Sequence, residues 1–318
     1  ISEIKNVLIS EDVFSCIDCL KKLGVKIKKV KSKHYLVYGK GLGSLTAKKN
    51  IYLNCGNSGT TARLLIGLLS TNPDIHIKIT GDHSLNKRRD SQIQFIIIHY
   101  TGMQSKRASL DRLLDPKYEV SCHYLIKNNG EIVQIVPDLY IAWHSGKSSW
   151  KNYRSLNKNS IGIEITNPGH EHGYKKFKQK QISSLLKLTK SLIKRYNILP
   201  KNILGHSDIA PQRKKDPGEK FPWEYLSKKN IGVWHTLKDK QELIKNRKIK
   251  IDKEEETFFY KNLFKIGYSK KKPLNINRVK YLRELAKAFQ RRFRQELING
   301  KIDQECLLIS KNLAKKLN

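Results

Sequence analysis

Residues 205–218 read GHSDIAPQRKKDPG and place His206 ten positions before Asp216, with proline and glycine residues between and after them. Upstream, the apolar run FIIIHYT at residues 95–101 predicts a buried strand that carries His99 near its C-terminal end. Two neutral imidazoles and one carboxylate suit a catalytic zinc ion, which leaves its fourth position open for water. These two stretches therefore predict a hydrolase built around a metal site.

Strand patterns and one helix pattern surround this stretch. Apolar residues at helical spacing predict a helix over Lys180–Tyr196. Short apolar runs predict five strands, at Phe95–Thr101, Tyr124–Lys127, Glu131–Val136, Ser160–Thr166 and Asn202–His206. The mixture predicts an α/β domain with a mixed central sheet and flanking helices, which we place at residues 89–237.

Two smaller blocks flank this domain. Residues 1–88 alternate apolar runs with glycine-rich turns and predict a small α/β fragment. Residues 253–318 predict a small all-α domain, with helices near Phe258–Tyr268, Arg278–Leu297 and Ile302–Leu317. Residues 238–252 are charged and poor in apolar residues, so we expect them to form a linker, with a solvated helix as the alternative.

Basic residues dominate the composition. The 318 residues include 63 Lys and Arg against 28 Asp and Glu, a formal net charge of +35. Such a charge favours a polyanionic partner, either nucleic acid, anionic lipid or a cell-wall polymer. The excess is mostly lysine spread over every region and no nucleic-acid-binding motif accompanies it, so we expect no nucleic-acid partner. A basic nucleic-acid binder remains an alternative, and it predicts salt-sensitive retention on DNA without any effect of zinc.

Membrane and export signals are not evident in the sequence. No apolar run approaches the length of a membrane-spanning helix, and no signal peptide is visible. The chain begins at Ile1 rather than Met, so the sequence leaves the compartment open between the cytoplasm and the periplasm or cell envelope.

The N-terminal block resembles 5-enolpyruvylshikimate-3-phosphate synthases in two signatures, GNSGTTARLL at residues 56–65 and ITGDHSLNKR at residues 79–88. In that family a glycine-rich helix start and two arginines contact the part of the substrate derived from phosphoenolpyruvate. The matching positions here are Asn57, Gly59, Arg63 and Arg88. The resemblance covers only a fragment of a family whose members are several times longer and whose site lies between two domains. We therefore interpret residues 1–88 as a catalytically inactive remnant of a transferase.

The middle block resembles the zinc-dependent N-acetylmuramoyl-L-alanine amidases of the amidase-2 family, which are related to peptidoglycan recognition proteins. The matching pieces run across residues 93–234 and are FIIIHYTGM, VSCHYLIKNNGEIVQIV, AWHSG, SIGIEITNPG and LGHSDIAPQRKKDPGEKFPW. The resemblance implies that His99, His206 and Asp216 bind Zn²⁺. It also implies that Glu164 is the general base and that Lys214 stabilises the oxyanion.

Several of these residues also have a physical reading. Glu164 lies in the apolar run IGIEI, where burial would raise its pKa and suit a general base, although a structural ion pair is the alternative. Lys215 adjoins Lys214 and competes with it for the same role. His123 and His144 fall in motifs of the family and are candidate substrate-binding residues, and a packing role is equally open for His123.

The C-terminal block resembles small helical peptidoglycan-binding domains in AFQRRF at residues 288–293 and NGKID at residues 299–303. The alternative is an ordinary amphipathic helix with Phe289 and Phe293 on its core face. Arg291 would then point away from that face and could meet carboxylates of the wall.

Taken together, these patterns predict a monomeric amidase that cleaves the bond between N-acetylmuramic acid and L-alanine in peptidoglycan or muropeptides during wall turnover or recycling. Besides the nucleic-acid binder, two alternatives stay open, a non-catalytic peptidoglycan-binding protein and an enolpyruvyl transferase remnant.

Overall fold

The computed structural model describes residues 1–39, 41, 43–47, 51–56, 58–69, 75–81, 91–103 and 120–317, without the side chains of Glu11 and Arg63. The chain forms two compact units. Unit 1 comprises Ile1–Asp90 with Val136–Ile141, and unit 2 comprises Ser91–Ile135 with Ala142–Asn318. Among the positions that match the transferase signatures, Asn57, Arg88 and the side chain of Arg63 lie outside the described residues.

Unit 1 is a small α/β fragment with a core of its own. Its elements are β1 (Ser2–Ile4), α1 (Glu11–Lys22), β2 (Lys26–Lys31), β3 (His34–Tyr38), β4 (Ile51–Asn54), α2 (Gly59–Leu69) and β5 (Ile77–Thr80). The first three strands form an antiparallel sheet in the order β1-β3-β2, and β4 pairs with β5 in parallel. The Ser58 hydroxyl accepts a hydrogen bond from the Thr61 N–H and caps the start of α2. The core consists of Cys19, Leu23, Leu53, Cys55 and Leu65.

Unit 2 is built on a mixed five-stranded sheet. Its strands are β6 (Phe95–Tyr100), β7 (Tyr124–Ile126), β8 (Ile132–Gln134), β11 (Ser160–Ile165) and β12 (Ile203–Gly205), in the order β12-β6-β11-β7-β8. The pairs along this order are parallel except β7 with β8, which is antiparallel. A short antiparallel pair, β9 (Ser149–Trp150) and β10 (Tyr153–Arg154), lies outside the sheet.

Helices cover both faces of this sheet. They are α3 (Gln179–Tyr196), α4 (His206–Ile209), α5 (Trp223–Ser227), α6 (Lys240–Asn246), α7 (Lys253–Ile266), α8 (Arg278–Phe293) and α9 (Gln304–Leu317). Side chains alternate along β6, so Ile96 and Ile98 pack in one core with α3. Phe95 and Ile97 point to the opposite face and share a core with the C-terminal helical segment, residues 253–317. The predicted mixed α/β sheet with flanking helices is therefore confirmed.

The C-terminal helices differ from the sequence expectation at one residue. Phe289 and Phe293 lie in the core as expected, but Arg291 is only 7% exposed and does not reach solvent. The outward orientation predicted for Arg291 is wrong, because the last turns of α8 are buried on all sides from Ala288 to Phe293. The segment predicted as a linker contains α6, whose Leu243 and Asn246 are also buried.

No helix in the part of the chain that the structure describes is both long and apolar enough to cross a membrane.

Candidate active site

Three side chains predicted as metal ligands meet in unit 2. Nδ1 of His99 lies 2.9 Å from Nδ1 of His206 and 2.9 Å from Oδ2 of Asp216. Nδ1 of His206 lies 3.0 Å from the same carboxylate oxygen. All three residues are buried, and they form a metal-compatible cluster of donor atoms.

The sheet register explains why these residues meet. In the parallel pair β6–β11, His99 is opposite Glu164, and in the pair β12–β6, Gly205 is opposite Ile98. His206 follows Gly205 directly and is therefore level with His99 and Glu164. All three stand at the carboxyl ends of parallel strands, where functional sites of open α/β sheets usually lie. Asp216 joins them because its carbonyl oxygen accepts a hydrogen bond from the Ser207 N–H, at 2.8 Å.

The segment AWHSG orients both histidines of the cluster. With Nδ1 turned to the cluster, His99 donates its Nε2 proton to Nδ1 of His144 at 3.0 Å, and His144 donates in turn to the Ser160 hydroxyl at 3.1 Å. His206 donates its Nε2 proton to the Ser145 carbonyl oxygen at 3.2 Å. Ligating histidines are commonly fixed in tautomer and ring orientation by such partners.

The charges at the cluster follow from burial. Burial lowers the pKa of His206 to about 4, so its imidazole is neutral at pH 7. Burial alone would raise the pKa of Asp216, but the two imidazoles, His206 first, outweigh it and hold that pKa well below its ordinary value. Neutral imidazole and ionised carboxylate are the protonation states that metal binding requires.

Glu164 is the acidic group beside this cluster. It is 9% exposed, and its Oε2 has no hydrogen-bond partner among the described residues. Burial raises its pKa to about 7, against the opposing effect of His99. A carboxyl group with a pKa near neutrality suits proton transfer at physiological pH.

The two lysines after Arg213 differ in position. Lys214 is half-buried, and its charge acts on Glu164, whose pKa it lowers, whereas Lys215 is exposed. This difference favours Lys214 over Lys215 as a group that faces the site. Arg213, which the sequence reasoning overlooked, donates to the carbonyl oxygens of Ser145 and Lys147.

His123 and His144, the two candidate substrate-binding residues, are held inside the fold. His123 is fully buried, and its Nδ1 accepts a hydrogen bond from the Gly162 N–H at 2.9 Å. His144 is buried between His99 and Ser160. Their predicted contact with substrate stays a prediction, because these contacts show only what the two imidazoles do within the protein.

A further cluster beside Asp216 escaped the sequence reasoning. His170 is half-buried and forms hydrogen bonds with the Tyr100 hydroxyl at 2.8 Å and with Glu219 at 3.0 Å. The Tyr174 ring stacks on His170, and its hydroxyl donates to the Pro217 carbonyl oxygen at 2.6 Å. These contacts brace the loop that follows Asp216, and no local sequence pattern indicates them.

The donor set fits a tetrahedral ion. Ligands about 2.0–2.1 Å from such an ion lie about 3.3–3.4 Å from one another, close to the observed triangle of 2.9–3.0 Å. Two histidines and one carboxylate are a recurrent ligand set of catalytic zinc. The fold and the site thus indicate a hydrolase with a buried donor set that could hold a metal ion.

Comparison with known proteins specifies the class. Residues 89–219 match the family described as N-acetylmuramoyl-L-alanine amidase. The N-acetylmuramoyl-L-alanine amidase AmiD of Escherichia coli (strain K12) is 35% identical over 251 residues, which cover 74% of this chain and 88% of AmiD. The chain belongs to the N-acetylmuramoyl-L-alanine amidase family and is an amidase, as its sequence predicted.

A solved structure agrees with this assignment. It is the complex of AmiD from E. coli with the substrate anhydro-N-acetylmuramic acid-L-Ala-D-gamma-Glu-L-Lys. The two structures superpose with a TM-score of 0.61 at 34% identity, over 73% of this chain and 93% of the other.

Unit 1 has a different relative. Residues 1–91 match the EPSP synthase family (3-phosphoshikimate 1-carboxyvinyltransferase). The 3-phosphoshikimate 1-carboxyvinyltransferase of Syntrophomonas wolfei is 47% identical over 87 residues, 27% of this chain but only 20% of that protein. The predicted resemblance is confirmed, and the loss of transferase activity stays a prediction.

Proposed function

We propose that this chain hydrolyses the amide bond between the lactyl group of N-acetylmuramic acid and L-alanine of the stem peptide, with a zinc ion held by His99, His206 and Asp216. The observation that carries the proposal is the buried triangle of these three donors with Glu164 in the same row of the sheet. Zinc bound there would polarise the amide carbonyl and acidify a water molecule.

Glu164 is proposed as the general base and acid. Its carboxylate takes a proton from the attacking water as the new C–O bond forms. It then delivers this proton to the nitrogen of L-alanine as the C–N bond breaks. The unpartnered Oε2 and the pKa near 7 support this role.

Lys214 is proposed to stabilise the negative charge that develops on the carbonyl oxygen. An ammonium group placed before the reaction begins lowers the barrier without any reorganisation in the transition state. Its half-buried position beside Glu164 supports this role.

The histidines divide into two proposed roles. His144 keeps the His99 imidazole in the tautomer that exposes Nδ1 to the metal. Contact with the muramyl peptide is proposed for His123 and His144 from their motifs alone.

The substrate is proposed to be either the intact wall or a muropeptide released from it. The enzyme is proposed to act as a monomer. The solved AmiD complex contains an anhydro-muropeptide, which favours a released muropeptide as the substrate. The formal charge of +35 and the proposed peptidoglycan-binding role of the C-terminal helices favour attraction to an anionic wall. We propose no nucleic-acid partner.

Hydrolysis by the full chain tests the proposal. We expect an anhydro-muropeptide to release free stem peptide with zinc and not with a chelator. Glu164→Gln should lower kcat by about 10²–10⁴-fold because the amide cannot accept the proton. Glu131→Gln is the matched control, since Glu131 is an exposed glutamate that pairs with Lys127 on the surface, and it should retain activity.

Two outcomes would contradict the proposal. Cleavage that persists in the chelator, or in Glu164→Gln, would remove zinc or Glu164 from the chemistry. Zinc-dependent binding of the muropeptide without cleavage would identify a recognition protein instead.

A further inference from the structure

The C-terminal helical segment reaches the loop that carries a metal ligand. Arg292 lies on α8, is buried, and donates from Nη1 to Oδ2 of Asp208, two residues after His206. Its Nη2 donates to the Ile203 carbonyl oxygen at 3.1 Å, three residues before His206. The guanidinium group of Arg292 therefore forms hydrogen bonds with the chain on both sides of His206.

Asp208 gathers three donors in this buried place. Besides Arg292, its Oδ2 accepts the Gly205 N–H at 2.8 Å, and its Oδ1 accepts the Tyr268 hydroxyl at 2.9 Å. Tyr268 follows α7, so a second residue of the helical segment holds the same carboxylate. A buried carboxylate with every donor in place is rigid, and it is costly to expose or to leave unpaired.

Packing fixes the guanidinium group as firmly as its hydrogen bonds. Arg292 stacks over the Trp223 ring at 4.1 Å from the centroid. Gly205 leaves no spare space on the other side, because an added Cβ would lie 2.7 Å from Pro217 and 3.4 Å from Trp223. The turn that carries His206 thus lies between α8, Trp223 and the loop of Asp216.

The turn needs such support because it is short. Helix α4 has four residues, His206–Ile209, and a helix of this length is unstable by itself. Its Ser207 N–H also donates to the Asp216 carbonyl oxygen at 2.8 Å. A shift of this turn would consequently move two of the three donor atoms.

We propose that Arg292 is a positioning residue for the metal ligand His206, acting through Asp208, so that the C-terminal helical segment completes the metal centre. This inference rests on the proposed zinc site. It gives the segment a role that differs from attachment to the wall.

Zinc affinity of the full chain tests this role, measured by competition with a chromogenic chelator. Arg292→Lys keeps the positive charge but cannot form both hydrogen bonds, to Asp208 and to the Ile203 carbonyl oxygen, and it loses the planar group that stacks on Trp223. We expect it to weaken zinc binding by about 10–100-fold, as loss of a group that orients a ligand does. In the saturated enzyme kcat should fall while KM stays within about twofold, since the metal is misplaced rather than the substrate.

Tyr268→Phe is the milder variant in case Arg292→Lys does not fold. It removes only the hydroxyl donated to Asp208 and keeps the ring against Trp150. We expect a smaller loss of zinc affinity than for Arg292→Lys.

Arg294→Lys is the matched control. Arg294 is a buried arginine next to the end of α8, and it pairs with Asp303 and Glu305 inside the helical segment. Its replacement should lower the melting temperature of the metal-free chain and leave zinc affinity within about twofold, because the two sites share no partner.

The outcomes separate this inference from the proposed function. If the native chain binds zinc through His206 but Arg292→Lys and Tyr268→Phe bind it equally well, only the positioning role is wrong. If Arg294→Lys weakens zinc binding as much as Arg292→Lys, the effect is general destabilisation and the role is wrong again. If the native chain binds no zinc, the proposed function and this inference both fail.

Discussion

Gly162 lies in β11 two residues before Glu164, and its lack of a side chain makes room for the imidazole of His144. An added Cβ would lie 2.6 Å from Cδ2 of His144 and closer still to its Cγ. Nδ1 of His144 in turn accepts a hydrogen bond from Nε2 of His99, and the two nitrogen atoms are 3.0 Å apart. The constraint on Gly162 is therefore steric, and it links the interior of the strand to the orientation of His99, a proposed metal ligand.

Gly162→Ala should disturb both stability and metal binding. Displacing His144 from a packed interior should lower the free energy of unfolding of unit 2 by about 1–3 kcal/mol. Zinc affinity should fall by about tenfold because His99 loses its orienting partner. Denaturant unfolding and chelator competition measure the two effects.

Gly67→Ala provides the comparison for this substitution. Gly67 lies in α2, and among the described residues no atom outside the helix's own backbone is within 4 Å of an added Cβ, so alanine should stabilise the helix by up to about 1 kcal/mol. If Gly162→Ala has the same stability and zinc affinity as the unsubstituted chain, His144 can move without any effect on folding or on metal binding.

At the scale of single residues, the sequence predicted which donors converge but not what holds them. His99, His206 and Asp216 stand in recognisable motifs, and the structure brings them within 2.9–3.0 Å of one another. The contact of Asp208 with Arg292 joins residues 84 positions apart. Such a partner is set by tertiary packing, to which no local pattern is sensitive.

At the scale of elements, strand positions were predictable and strand neighbours were not. The apolar runs that predict β6 and β11 are continuous because both faces of these strands are buried. The pairing that sets Glu164 beside His99 is parallel and joins distant segments. Periodicity along one strand contains no information about such a register.

Helix α8 is an element whose position was predictable from the sequence but whose burial was not. Its apolar spacing predicts a helix, but the same spacing assigns Arg291 to a solvent face, whereas Arg291 is buried. The helix has protein around its last turns, so its polar residues find partners inside the fold. Amphipathicity describes a helix with one exposed side, and this one has little.

The start of α7 allows a prediction for a single element. Asp252 accepts the Glu255 N–H at 2.8 Å, and Glu255 accepts the Asp252 N–H at 3.1 Å, which is a capping box. Asp252→Ala should lower the free energy of unfolding by about 0.5–2 kcal/mol, measured by denaturant titration. Asp252→Asn keeps the acceptor and should cost much less. An equal loss in both variants would mean that charge near the helix start, rather than the hydrogen bond, is what stabilises α7.

At the scale of the whole molecule, the hydrophobic cores divide the chain differently from its motifs. Among the described residues, the core of unit 1 shares no member with the cores of unit 2. The C-terminal helical segment, by contrast, shares one core with the sheet. The buried residues that precede the helical segment and contribute to this core are Phe95, Ile97, Trp150, Leu156, Leu204, Ile209 and Leu243.

Two truncations should therefore behave in opposite ways. Residues 91–318 keep the proposed metal donors, Glu164 and the three cores of unit 2, so zinc affinity and kcat/KM should stay within about twofold of the full chain. Residues 1–252 keep the same donors but expose the seven side chains that they contribute to the shared core. Burial of each contributes roughly 1.5–3 kcal/mol, and even half of that sum matches much of the 5–15 kcal/mol by which domains are stable.

We expect residues 1–252 to lose zinc binding and cooperative unfolding, whereas an enzyme with a detachable wall-binding domain would keep both. Chelator competition and circular dichroism melting on the two truncated chains and the full chain distinguish these cases. Full zinc affinity in residues 1–252 would show that the helical segment is an accessory module and that the shared core is dispensable. Loss of activity in residues 91–318 would instead show that the transferase-like unit contributes to amidase function, which its separate core gives no reason to expect.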